Sequence, residues 1–100
     1  MLEREVEAYL VKRVKELGGE VRKVNWLGRN GAPDRFVMLP PQFIADRKLP
    51  VQPRTAFWVE LKAPGQKAKP HQLREHARME AMGERVVVVD SLEGVDEVLG

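Results

Sequence analysis

Apolar side chains recur three and four residues apart at Leu2, Val6, Tyr9, Leu10, Val14 and Leu17, with charged residues filling the positions between them. That stripe predicts an amphipathic helix from Leu2 to about Leu17. Gly18-Gly19 stops it, because a glycine adopts the left-handed cap conformation at no steric cost. From Glu20 to Trp26 the pattern turns to imperfect alternation with β-branched residues, which predicts a partly exposed strand. Leu27-Gly28-Arg29-Asn30-Gly31-Ala32-Pro33 then reads as a turn-rich loop. A second strand follows from Asp34 to Leu39 through Phe36, Val37 and Met38, and Pro40-Pro41 ends it. Residues 40–55 hold four prolines and little periodicity, so they are expected to form a long connection with one short helical turn around Phe43 to Asp46. Ala56-Phe57-Trp58-Val59-Glu60-Leu61-Lys62 is the third strand, strongly apolar until its end. Pro70 suits the first turn of a second helix that runs to about Met82, with Leu73, Ala77, Glu80 and Ala81 at helical spacing and Gly83 closing it. Val86-Val87-Val88-Val89 has the continuous apolar signature of a strand covered on both faces. A last helix from Leu92 to Leu99 takes Ser91 as its cap and packs Val95, Val98 and Leu99. The order is α-β-β-β-α-β with a terminal helix, an α/β arrangement.

Charges near the end of the third strand need a reason. Side chains alternate across a strand, so Glu60 and Lys62 share one face while Val59 and Leu61 take the other. An isolated E-x-K is most simply a same-face ion pair, and an Asp after Pro33 most simply caps a turn. Together they raise another reading, because Asp34 supplies a second carboxylate where the neighbouring strand begins. Metal-assisted phosphodiester hydrolysis needs two or more oxygen ligands from rigid elements and open positions for water and phosphate. Asp34 and Glu60, joined by the carbonyl of Leu61, form such a set if their strands are antiparallel neighbours. Lys62 then stands beside the water, either to orient the nucleophile or to stabilise charge developing on phosphorus.

Composition narrows the partners. At 100 residues the chain is expected to be one domain with one modest core. Cysteine is absent, which excludes disulfides and thiolate metal sites. The first residues lack the apolar segment of a signal peptide, and no apolar run is long enough to span a membrane, so a cytoplasmic, intracellular location is expected. Net charge is +2, but Lys and Arg concentrate in 22–35 and 62–74, the stretches that flank the candidate acids. That distribution suits a polyanion. Arg29, Arg35, Lys67, Lys69 and Arg74 are the candidate contacts to a nucleic-acid backbone, against a solvated face as the plain alternative. His71 and His76, five apart, diverge on a helix and are not expected to share a metal; they read as phosphate neighbours or surface residues. Trp26 and Trp58 read as core or interface packing ahead of base stacking.

Pro33-Asp34 with Glu60-Leu61-Lys62 resembles the PD-(D/E)xK nuclease signature. The wider set resembles the VRR-NUC (virus-type replication-repair nuclease) family: an acidic first helix, Gly31-Ala32-Pro33-Asp34-Arg35, Phe57 to Ala63, Pro70-His71-Gln72 and Gly83 to Asp90. The likeness covers nearly the whole chain, so 1–100 is expected to be a single VRR-NUC-like domain. It implies a restriction-endonuclease-like core with a central mixed sheet flanked by helices. It also implies a Mg2+- or Mn2+-dependent, structure-selective DNA endonuclease related to Holliday-junction resolvases, of the stand-alone kind found in phages and bacteria. A homodimer is implied too, since resolving a four-way junction takes two cuts related by a two-fold axis. The resemblance further implies a catalytic glutamate from the first helix, either Glu3 or Glu7, and a glutamine from the second, which Gln72 matches. Glu3, Glu5 and Glu7 also favour the positive end of the helix dipole, which needs no catalytic role. The long 40–55 connection departs from the tight hairpin frequent in the family. A second reading stays open, a catalytically silent nucleic-acid-binding module of the same fold.

Overall fold

A computed structural model describes residues 1–40 and 56–100; the expected connection, with its helical turn at 43–46, lies outside the described residues. The chain forms helix α1 (Glu3–Glu16), strands β1 (Glu20–Lys23), β2 (Arg35–Met38) and β3 (Ala56–Leu61), helix α2 (Pro70–Ala81), strand β4 (Val86–Val89) and helix α3 (Leu92–Leu99). The expected order is the observed one, and boundaries agree within a few residues.

The strands form one mixed sheet in the order β1-β2-β3-β4. β1 with β2 and β2 with β3 are antiparallel, while β4 runs parallel to β3 after the α2 crossover. Register explains which residues meet. Arg35 lies opposite Val59 and Val37 opposite Phe57, and these positions face α1 and α3. There Phe57, Val59 and Leu61 join Val6, Leu10 and Val14 of α1, Val37, Val89, and Val95 and Leu99 of α3 in a single buried cluster. Each buried Val or Leu contributes about 1.5–3 kcal/mol relative to exposure, so this layer holds the sheet against two helices. Tyr9 and Asp96 fasten α1 to α3 with a 2.9 Å hydrogen bond, and Arg13 adds an ion pair to the same carboxylate.

Gly19 ends the α1 turn where no larger residue fits. A Cβ there would collide with the Met38 carbonyl oxygen, so the chain turns from α1 into β1 directly against β2.

Two expectations need correction. Strand β4 is an edge of the sheet among the described residues, and Val88 is 43% exposed. Four valines resemble a strand covered on both faces because β-branched side chains serve edges and centres alike. Helix α2 does not bury the Leu73, Ala77, Ala81 stripe either; Leu73 is 52% exposed, and the buried residues are Glu75, His76 and Met79.

Candidate active site on the second face of the sheet

The face of β3 opposite the apolar layer carries Trp58 and Glu60. Trp58 lies opposite Phe36, with ring centroids 4.5 Å apart, and Trp26 closes the cluster at 5.1 Å from Trp58. The indole N–H of Trp26 donates to the Pro33 carbonyl at 2.8 Å. This aromatic layer fixes the loop immediately before Asp34.

One residue beyond β2, the antiparallel register carries Asp34 to the position opposite Glu60. The Asp34 carbonyl accepts a backbone hydrogen bond from Val24 at 2.9 Å, which extends the ladder and holds the residue in line. Glu60 is only 9% exposed and His76 of α2 only 4%; His76 Nε2 lies 3.2 Å from Glu60 Oε1. Burial pushes the Glu60 carboxyl above the ordinary carboxylate range, the hydrogen bond to His76 and the Lys62 ammonium oppose that rise, and the Asp34 charge adds to it. Asp34, Lys62 and His76 therefore all act on Glu60 at a single edge.

The loop reaches this edge through Gly31. Its φ is +86°, and a Cβ would meet the His71 ring at 3.0 Å and the His71 carbonyl at 3.1 Å, so the Gly-Ala-Pro-Asp segment lies directly on the first turn of α2. Gln72 belongs to that turn, and its Oε1 accepts from the Lys69 N–H at 2.8 Å. Gln72 thus caps the helix, and its amide nitrogen is the group left to face a ligand.

Behind the edge, on the apolar face, Arg35 forms ion pairs with Glu7 of α1 and, at 2.8 Å, with Asp34. Its side chain is largely covered, so the structure places it as a link from α1 to Asp34 instead of on an open surface. Glu7 is thereby tied to the candidate centre, whereas Glu3 stands exposed at the start of α1. Arg29 is partly exposed and pairs with the buried Glu75 at 2.5 Å, and Arg78 shares that carboxylate at 2.8 Å. The Arg29 hydrogen bond holds the Glu75 carboxyl below its usual range. Lys67, Lys69 and Arg74 are exposed on the α2 side of the sheet.

Two of these groups are faint in the sequence. His76 follows Gln72 by four residues, a spacing that puts both on one helix face, and that spacing is the available signal that His76 faces the centre; it is not a surface residue. Glu75 has Arg78 three residues on as its only local signal; Arg29, its other partner, is distant along the chain.

The donor set is chemically suited to a hard divalent cation. Two carboxylates on neighbouring strands with an adjacent backbone carbonyl are all-oxygen donors, which match Mg2+ or Mn2+. Among the described residues no three His, Asp or Glu side chains stand together as a metal-holding group. A cation would thus take Asp34, Glu60 and the Leu61 carbonyl, leaving other positions to water and phosphate, as Mg2+ sites on phosphate substrates commonly do.

No family model matches the chain. Over 86 residues it is 44% identical to "Putative nuclease p44" of Acyrthosiphon pisum secondary endosymbiont phage 1, covering 86% of this chain and 80% of that protein. A solved structure described as a VRR-NUC domain is similar at a TM-score of 0.77 and 39% identity, covering 97% of this chain and 92% of that one. No helix among the described residues is long and apolar enough to cross a membrane.

Proposed function

The chain belongs to the VRR-NUC family, and from that premise we propose that it is a metal-dependent DNA endonuclease that hydrolyses phosphodiester bonds in branched DNA. The observation that carries this reading is the placement of Asp34 opposite Glu60 across the β2–β3 ladder, with Lys62 on the same strand end. Asp34 and Glu60 would hold a divalent cation, which when bound would supply Lewis-acid polarisation of the phosphate and a more acidic water.

Each protein group then has a definite task. Asp34 and Glu60 would hold the ion from two strands whose register cannot slip by one residue without turning the core residues outward. His76 keeps Glu60 Oε1 in place, which limits the rotamers of the carboxylate. Lys62, whose charge already acts on Glu60, orients the attacking water or stabilises the charge that grows on the non-bridging oxygens. Gln72 offers its amide to a phosphate oxygen or the attacking water. Lys67, Lys69, Arg74 and Arg29 draw in the backbone. On a four-way junction the protein works as a homodimer, since two symmetric cuts ask for two centres. The presence of a phage relative agrees with action on DNA inside the bacterial cell.

The test is cleavage of end-labelled four-way junction, flap, plain duplex and RNA in Mg2+ or Mn2+, with binding measured in parallel. Cleavage of the branched DNA is expected, lost in Asp34→Ala and in Lys62→Ala while binding persists. Binding without nicks in any metal would instead favour the silent module, and RNA as the better substrate would overturn the DNA assignment.

A further inference from the structure

Next to the carboxylate pair lies an open cleft of about 490 Å3 whose lining includes Lys23, Asn25, Trp26, Arg29 and Asp34. We infer that this cleft is a subsite for one unpaired nucleotide adjoining the phosphodiester to be cut. The position of the cut rests on the nuclease reading above, and the occupant on the cleft's own chemistry.

Trp26 is the platform. Its ring is backed by Trp58 at 5.1 Å and its N–H is satisfied by the Pro33 carbonyl at 2.8 Å, so it has no polar demand of its own and is held in one orientation. An aromatic ring pinned from behind and open toward a cleft stacks on a base of any identity. A base stacked within a duplex has both faces covered already, so only an unpaired one can enter. The size agrees, being within the range that encloses a single compact ligand. Charge agrees as well. Lys23 is exposed and has no ion pair among the described residues. Arg29 shares Glu75 with Arg78, two guanidiniums on one carboxylate, which leaves net positive charge at the cleft wall. Asn25 is exposed with an amide able to donate and accept. Asp34 ends the cleft, so a base on Trp26 and a phosphate near Lys23 or Arg29 place the neighbouring phosphodiester at the carboxylates. Selectivity for branched DNA thereby becomes a property of this chain: the cut falls beside a nucleotide that has left its partner.

The experiment scans a single abasic nucleotide through the unpaired positions of a flap and through the branch-point positions of a four-way junction, where a base can leave its partner, measuring affinity in EDTA so that no cleavage intervenes. At one position next to the branch, affinity for the wild-type protein should fall roughly 5- to 150-fold, the range of base–aromatic stacking. Trp26→Ala should lose a similar factor on the intact probe and show no further loss on the abasic one, and Trp26→Phe should keep most of the affinity. Lys23→Ala, an exposed change that leaves the fold intact, should weaken binding to every branched probe and lower the salt slope by about one. If no abasic position matters, or if the protein binds plain duplex as well as branched DNA, the subsite is refuted even where cleavage persists. If the abasic effect is present and no metal supports cleavage, the subsite stands and the hydrolase reading falls.

Discussion

His76 Nε2 lies 3.2 Å from Glu60 Oε1 with both side chains almost fully covered. A carboxylate in that position is held by one imidazole, and removing it leaves a buried acceptor without its partner. His76→Leu should therefore lower kcat by about tenfold or more with little change in DNA affinity, and His76→Gln, which restores a donor, should recover much of the loss. Single-turnover cleavage beside binding measurements separates this from general damage, because a merely structural role would move both together.

Gly31 allows the loop to approach α2. With φ at +86° and the His71 carbonyl 3.1 Å from where a Cβ would sit, Gly31→Ala meets both strained backbone and a rigid neighbour. It should destabilise the protein by more than about 1 kcal/mol and reduce cleavage further than that loss explains, since Asp34 follows three residues later. Denaturant unfolding paired with cleavage rates reads both effects.

Arg35 joins Glu7 to Asp34 behind the centre. Replacing it with Gln should cost about 1–3 kcal/mol, as expected for a largely buried charged hydrogen bond, and should lower activity by loosening Asp34. The salt slope of DNA binding should stay the same if the guanidinium is spent on Glu7 and Asp34, and a slope lowered by about one would return Arg35 to the backbone contacts. Lys67→Ala, Lys69→Ala and Arg74→Ala should behave oppositely, leaving stability intact and lowering the slope by about one each.

The acid sensitivity of the fold has a named contributor. Glu75 titrates below the usual carboxylate range because of the Arg29 hydrogen bond. Its stabilising effect is therefore complete above the unfolded-state value near pH 4.3 and disappears as pH falls through the lowered folded value. Glu75→Gln should lower the thermal midpoint at pH 7, and the gap to the wild type should narrow as pH falls below the unfolded-state value and through the lowered folded one. Thermal unfolding across that range gives the sign directly.

Much of this architecture is legible in the residue pattern, and the exceptions share a cause. The Val6, Leu10, Val14 stripe and the alternation of Phe57, Val59 and Leu61 are readable because they face an apolar layer, where hydrophobic periodicity reports burial. Asp34 and Glu60 are readable as a pair because an antiparallel register brings chain-distant residues into opposition. Helix α2 misleads because it covers the polar face: its buried residues Glu75 and His76 are there for partners and not for apolarity. Edge and centre look alike for Val86 to Val89, since strand order is a property of the whole topology. Glu3 and Glu7 are equivalent along the helix, and only Arg35, from a different strand, selects Glu7 as its partner.

On the proposal above, Asp34 and Glu60 hold one cation between neighbouring strands, and calorimetric titration with Mn2+ addresses this without relying on any DNA substrate. Wild-type protein should bind Mn2+ saturably, and Asp34→Ala and Glu60→Ala should each weaken that binding by about tenfold or more. An isotherm unchanged in either variant would contradict the account.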